Sequence, residues 1–139
     1  MISLYKSIWS DAINYERIKN GGESHWKLFT FVYMTLILSL NVITILSLIR
    51  FIFNIEVGEF LMMLFKRIID NKTGLNFLWF FIVAILPSSL INYMLVFYNN
   101  RYENILEKYK FKQGKLSVIY FIITVISFFG VSLIKKYLA

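Results

Sequence analysis

Residues 75–98 read LNFLWFFIVAILPSSLINYMLVFY, a run of 24 residues without a charged side chain. As an α-helix this segment is about 36 Å long, and the hydrocarbon core of a bilayer is about 30 Å thick. The stretch therefore predicts a transmembrane helix. Pro87 lies in its middle and predicts a kink, with Ser88 and Ser89 placed to satisfy the carbonyl that proline leaves free.

Two other segments have the same character. Residues 28–49 and 116–134 contain 22 and 19 residues without a charge, which correspond to helices of about 33 and 28 Å. Tryptophan, tyrosine, lysine and arginine flank the three segments, as is typical of membrane boundaries. Three transmembrane helices are predicted.

The composition agrees with a membrane protein. Hydrophobic residues make up 58% of the 139 residues and aromatic residues 19%, whereas soluble domains are roughly 45–50% apolar. A mean hydropathy of +0.64 coexists with a net charge of +7, so we expect apolar blocks in lipid and basic blocks at anionic headgroups. The basic residues form no compact patch, and no nucleic-acid partner is predicted.

Two amphipathic segments lie outside the predicted spans. Residues 1–20 place apolar and polar side chains on opposite halves of a helix that Asn20, Gly21 and Gly22 end, with Ser24 as N-cap of the first span. Residues 56–70 gather their charges in one strip. We predict a surface helix at the amino terminus and an interfacial helix between the first two spans.

The second span runs into FYNNRYENILEKYKFK at residues 97–112. Continued as a helix to about residue 112, it carries an aromatic and aliphatic stripe that needs cover. Three alternatives are open: the amino-terminal helix covers the stripe, another protein docks on it, or lipid headgroups contact it. The residues predicted to bind a partner are Trp9, Tyr98, Tyr102, Ile105 and Tyr109.

The distribution of lysine and arginine predicts the orientation. Nine lie in residues 1–27 and 99–115, and six lie in residues 50–74 and at the carboxyl end. The positive-inside rule then favours a cytoplasmic amino terminus and a periplasmic carboxyl terminus.

The residues needed for catalysis or metal binding are scarce. The chain has no cysteine, its single histidine, His25, lies beside Trp26, and its acidic residues lie outside the spans. No catalytic, cofactor-binding or metal site is predicted. Asn41 and Asn92 lie inside spans, where interhelical hydrogen bonds are the first interpretation and a water-filled pore is the alternative.

The segments INYMLVFYNNRYENILEKYK, SIWSDAI and GKLSVIYFI together resemble small uncharacterised multi-pass membrane proteins of Bacteroidota. This resemblance implies a location in the bacterial inner membrane and no catalytic residue.

We therefore expect an all-α integral membrane protein with three transmembrane helices, an amino-terminal amphipathic helix and an interfacial helix. The favoured function is a non-enzymatic subunit that anchors or stabilises a larger envelope complex through its cytoplasmic aromatic faces. The expected contacts are membrane lipids and either a protein partner or further copies of the chain. The alternatives are a self-associating pore-forming effector and an accessory protein that presents a lipid or glycan-lipid to a partner enzyme.

Overall fold

The computed structural model describes residues 1–22, 25–54, 59–67, 69 and 71–138. This part of the chain is helical and contains no β-strand. Its α-helices are α1 (Ile2–Lys19), α2 (Trp26–Phe53), α3 (Glu59–Lys66), α4 (Lys72–Phe80), α5 (Leu86–Asn92), α6 (Arg101–Lys108) and α7 (Lys115–Leu138). Two π-helical segments, Phe81–Ile85 and Tyr93–Phe97, continue α4 and α5 as one rod.

Three helices are long and apolar enough to cross a membrane, those that begin at Trp26, Lys72 and Lys115. The predicted all-helical fold with three candidate spans is confirmed at this level. The helices extend beyond the predicted apolar segments, because α2 and α7 include the basic residues that flank them.

The region between the first two spans is described in part. Helix α3 lies within the predicted interfacial helix at residues 56–70, of which residues 56–58, 68 and 70 lie outside the described residues, as does Ser24. Asn71 begins the next helix, since its side chain accepts a hydrogen bond from the backbone N–H of Thr73 at 3.0 Å. This is an N-cap contact at the start of α4.

The second long helix does not continue unbroken to residue 112, which differs from the prediction. Asn99 and Asn100 adopt left-handed conformations with φ of 53° and 52°, a region that asparagine tolerates better than most residues. This break separates α6 from the rod, and α6 packs against α1. Beyond α6, Tyr109 is extended, with φ −112° and ψ 128°.

Helix α1 also differs from the predicted surface helix. It packs against α2, α6 and α7, and six consecutive residues, 8–13, are buried. A run of that length covers every side of a helix, so the middle of α1 is enclosed rather than laid flat with one face toward water. The buried apolar core lies at this end of the bundle, which we call the closed end, and includes Ile8, Trp9, Ala12, Ile13, Trp26, Met34, Val96 and Ile105.

Polar contacts allow α1 to be enclosed. Asp11 is fully buried, and its carboxylate accepts hydrogen bonds from the backbone N–H groups of Lys112 (2.7 Å), Gly114 (3.0 Å) and Leu116 (2.8 Å). Ser10 donates its hydroxyl to the carbonyl of Tyr109 at 3.0 Å. Because the N–H groups of Gly114 and Leu116 lie at the start of α7, Asp11 caps that helix from a distant part of the chain.

We expect Asp11→Ala to lower the free energy of unfolding by more than about 3 kcal/mol, because three charge-assisted hydrogen bonds are lost and buried N–H groups remain unpaired. Denaturant titration in mild detergent measures this change. Amide hydrogen exchange should accelerate at Lys112, Gly114 and Leu116. The control is Glu107→Ala on the exposed face of α6, and equal stability of the two variants would contradict the capping role.

The turn before α7 allows a second test. Gly114 has φ +76°, and a Cβ there would lie 2.7 Å from Cδ2 of Tyr15, whereas a Cβ at Gly130 in α7 meets no atom within 4 Å. We expect Gly114→Ala to destabilise the fold by about 1–2 kcal/mol or more. Gly130→Ala should stabilise its helix by up to about 1 kcal/mol. The same titration compares the two, and a neutral Gly114→Ala would show that this approach of α1 to the turn is not tight.

Candidate functional site

The residues predicted to bind a partner are mostly covered by the protein itself. Trp9 is fully buried, Ile105 is buried, and Tyr102 and Tyr109 are half-buried against the same core. Only Tyr98 of this set is largely exposed, at 49%. The structure thus brings four of the five together in or against the core of the closed end.

Aromatic contacts organise this closed end. The ring of Trp9 packs edge-to-face on Phe97 at 5.6 Å, and Trp26 packs in the same manner on Tyr102 at 5.5 Å. Lys27 donates a hydrogen bond to the Tyr102 hydroxyl at 3.1 Å, and its ammonium lies 4.8 Å from the centroid of that ring. These contacts supply the cover that the stripe on α6 requires.

Tyr98 is arranged differently because it lies at the helix break. The guanidinium carbon of Arg101 lies 5.3 Å from the centroid of its ring. Arg101 also donates a hydrogen bond to the carbonyl of Met94 at 2.8 Å, which helps to fix its position. An exposed tyrosine with a positioned arginine therefore remains on the surface.

The two asparagines predicted to lie inside spans join different helices. Asn92 accepts a hydrogen bond from the Tyr5 hydroxyl at 2.6 Å and donates to Oγ1 of Thr35 at 3.2 Å, which links α1, α5 and α2. Burial raises the pKa of the Tyr5 phenol, so this group stays protonated and donates. Asn41 on α2 donates to the Tyr120 hydroxyl at 2.8 Å and to Oγ1 of Thr124 at 3.1 Å on α7.

Pro87 lies in the first turn of α5, directly after the π-helical segment Phe81–Ile85. Ser89 donates its hydroxyl to the carbonyl of Leu86 at 2.8 Å, and Ser39 on α2 donates to the carbonyl of Ala84 at 3.3 Å. Hydroxyl groups from two helices therefore bind carbonyls near the proline.

A cavity of about 980 Å³ lies at the other end of the bundle, which we call the open end. Helices α2, α3, α4 and α7 contribute to its wall. The lining residues are Ile43, Leu46, Ser47, Arg50, Glu59, Met62, Met63, Lys66, Ile69, Lys72, Leu75, Asn76, Trp79, Phe80 and Lys135. Its volume reaches the upper end of the range of roughly 300–1,000 Å³ that is typical of ligand sites.

The wall of this cavity changes in character along the helix axes. Arg50 and Lys72 lie at the charged rim. Ile43 precedes Arg50 by seven residues on α2, and Phe80 follows Lys72 by eight residues at the end of α4. At 1.5 Å per residue the wall extends about 10–12 Å beyond the charges. Apart from Ser47 and Asn76, the lining side chains in this deeper part are aliphatic or aromatic. The cavity therefore has a charged, mainly basic rim and an apolar interior.

Sequence reasoning did not identify the cavity. Arg50, Lys66, Lys72 and Lys135 entered only the count of charges on each side of the membrane, and Trp79 was not singled out. One signal was present, because that count already put these four cations on the same side of a three-span chain. Asp11 was also missed, since a lone carboxylate on an amphipathic helix is usually solvated.

Known proteins add no assignment to this geometry. Comparison with protein-family models, curated proteins and solved structures finds no match to the chain. Within the described residues, no three histidine or acidic side chains converge as a metal site requires. Among the described residues, the cavity at the open end and the Tyr98–Arg101 pair are the candidate binding features.

Proposed function

We propose that this protein is a non-enzymatic membrane accessory protein that holds one membrane amphiphile in the cavity at its open end and presents it to a partner in the same membrane. The observation that carries the proposal is the cavity itself, with its basic rim and apolar depth. In a bilayer the three apolar helices orient this gradient along the membrane normal. A lipid then enters with its head at the interface and its tail among apolar side chains.

The internal cover at the closed end supports the same proposal. Trp9 is fully buried and packs on Phe97, and Ile105 is buried in the same core, so little of the predicted aromatic face is exposed to a partner. The open end, by contrast, has a cavity that side chains from four helices line. The open end therefore has the space that a ligand-binding site needs.

Retention of a lipid tests the proposal. Native mass spectrometry of protein released from lipid nanodiscs should show one lipid that survives activation strong enough to remove the annular lipids. Leu46→Trp, which places an indole in the cavity, should abolish this retention. Ile45→Trp is the matched control, because the neighbouring side chain is 56% exposed on the outside of α2. Failure of the unmodified protein to retain a lipid, or equal retention by both variants, rejects the proposal.

The second candidate function is the docking subunit, and the Tyr98–Arg101 pair favours it. Tyrosine and arginine are enriched at the energetic centres of protein interfaces. Here the arginine is held in place by the Met94 carbonyl before any partner arrives. Preorganisation of this kind lowers the entropic cost of binding.

We expect Tyr98→Ala combined with Arg101→Ala to lower co-purification of a stoichiometric membrane partner by tenfold or more, since hot-spot truncations cost about 2 kcal/mol or more. Quantitative mass spectrometry of complexes isolated at native expression level measures this loss. Tyr137→Ala is a suitable control, because Tyr137 is also exposed and has Lys136 5.8 Å from its ring centroid. An unchanged set of partners would remove the docking function.

A further inference from the structure

The rim of the open-end cavity concentrates positive charge from four helices. Arg50 lies in the last turn of α2, Lys66 in the last turn of α3, Lys72 at the start of α4, and Lys135 in the last turn of α7. Glu59 is the one acidic side chain among the described lining residues. The described rim therefore carries a formal charge of +3 at neutral pH.

We propose that the cavity selects a phosphate-bearing anionic lipid and that Lys66, Lys72, Lys135 and Arg50 form its headgroup subsite. This inference rests on the proposed function, because it names the class of amphiphile that the cavity holds. Lysine binds phosphate as a compact point charge, and arginine can add a bidentate contact. A phosphate group is tetrahedral, so cations from several helices can approach its oxygens from different directions, whereas the two oxygens of a fatty-acid carboxylate lie in one plane.

Lys72 distinguishes a headgroup subsite from ordinary stabilisation of helix ends. Arg50 and Lys135 occupy last turns, where a cation offsets the negative end of the helix dipole. Lys72 occupies a first turn that contains no acidic residue, where its charge adds to the positive end of the dipole. Helix stability does not favour a cation at this position, whereas an anion in the cavity gains from both the ammonium and the helix end.

The apolar wall excludes small anions as the preferred ligand. Leu46, Leu75 and Trp79 line the depth below the rim, and free inorganic phosphate leaves these side chains without an apolar partner. A lipid tail packs against them, and in a membrane such contact between apolar groups stabilises mainly through van der Waals packing. The head and tail of one molecule therefore use both parts of the cavity.

The test measures the composition of the retained lipid. The full chain is placed in nanodiscs that contain equal amounts of phosphatidylglycerol and phosphatidylcholine with identical acyl chains, and native mass spectrometry reads the ratio of the two in the retained position. We expect phosphatidylglycerol to exceed phosphatidylcholine by about tenfold or more. Lys72→Gln combined with Lys66→Gln should bring the ratio close to one while the total amount of retained lipid stays unchanged.

Two controls locate the effect. Lys110→Gln removes an exposed cation outside the cavity lining and should leave the ratio unchanged. Lys72→Arg combined with Lys66→Arg keeps the charge and should retain the preference for phosphatidylglycerol. If the glutamine variants unfold, the ratio of the two retained lipids is measured at increasing salt for the arginine pair and for the unmodified protein. An electrostatic preference for the anionic headgroup should fall in both, since salt weakens an interaction of this kind.

Each result has a distinct meaning. A retained lipid with the composition of the surrounding bilayer overturns the headgroup subsite and leaves the proposed function standing, whereas no retained lipid rejects both. Displacement of phosphatidylglycerol by an excess of inorganic phosphate would show that the rim binds a free anion, which overturns the proposal that it selects a lipid. A ratio that Lys110→Gln lowers as much as the rim variants do would assign the preference to the overall charge of the protein.

Discussion

The carboxylate of Asp11 is the contact on which the closed end depends. Residues 112–116 turn through the left-handed conformations of Gln113 and Gly114 before α7 begins, and the first N–H groups of a helix have no partner within it. A buried carboxylate without hydrogen bonds is equally unfavourable. Asp11 and the start of α7 therefore satisfy each other, and their pairing holds α1 against the bundle.

Because α1 packs at only one end of the bundle, the two ends differ in how fully they are filled by side chains. At the closed end α1 acts as a fourth helix whose aromatic side chains complete a core with Trp26, Phe97 and Tyr102. At the open end the short helix α3 packs on α4 and leaves a large volume beside α2 and α7. The aromatic side chains are largely buried in the core of the closed end, and the cavity lies at the open end of the bundle.

Polar groups inside the bundle join specific pairs of helices. Tyr5, Asn92 and Thr35 join three helices through two hydrogen bonds, and Asn41 joins α2 to α7 through two more. Each bond of this kind between apolar helices is worth about 0.6–2 kcal/mol, but a shifted register would leave these groups unpaired. They therefore define which faces of the helices meet, and α1 is part of that arrangement through Tyr5.

The sequence by itself determined the helical class and the three candidate spans, because unbroken apolar runs of about 20 residues leave a helix few alternatives. It also predicted that the stripe on residues 98–109 needs cover and left the source of that cover open. Only the tertiary structure decided that α1 supplies it, that Asn99 and Asn100 break the helix, and that cations from four helices line one cavity. The physical reason is that helical periodicity is a local property, whereas the partner of a buried Asp11 and the convergence of Arg50 with Lys135 depend on which helices become neighbours.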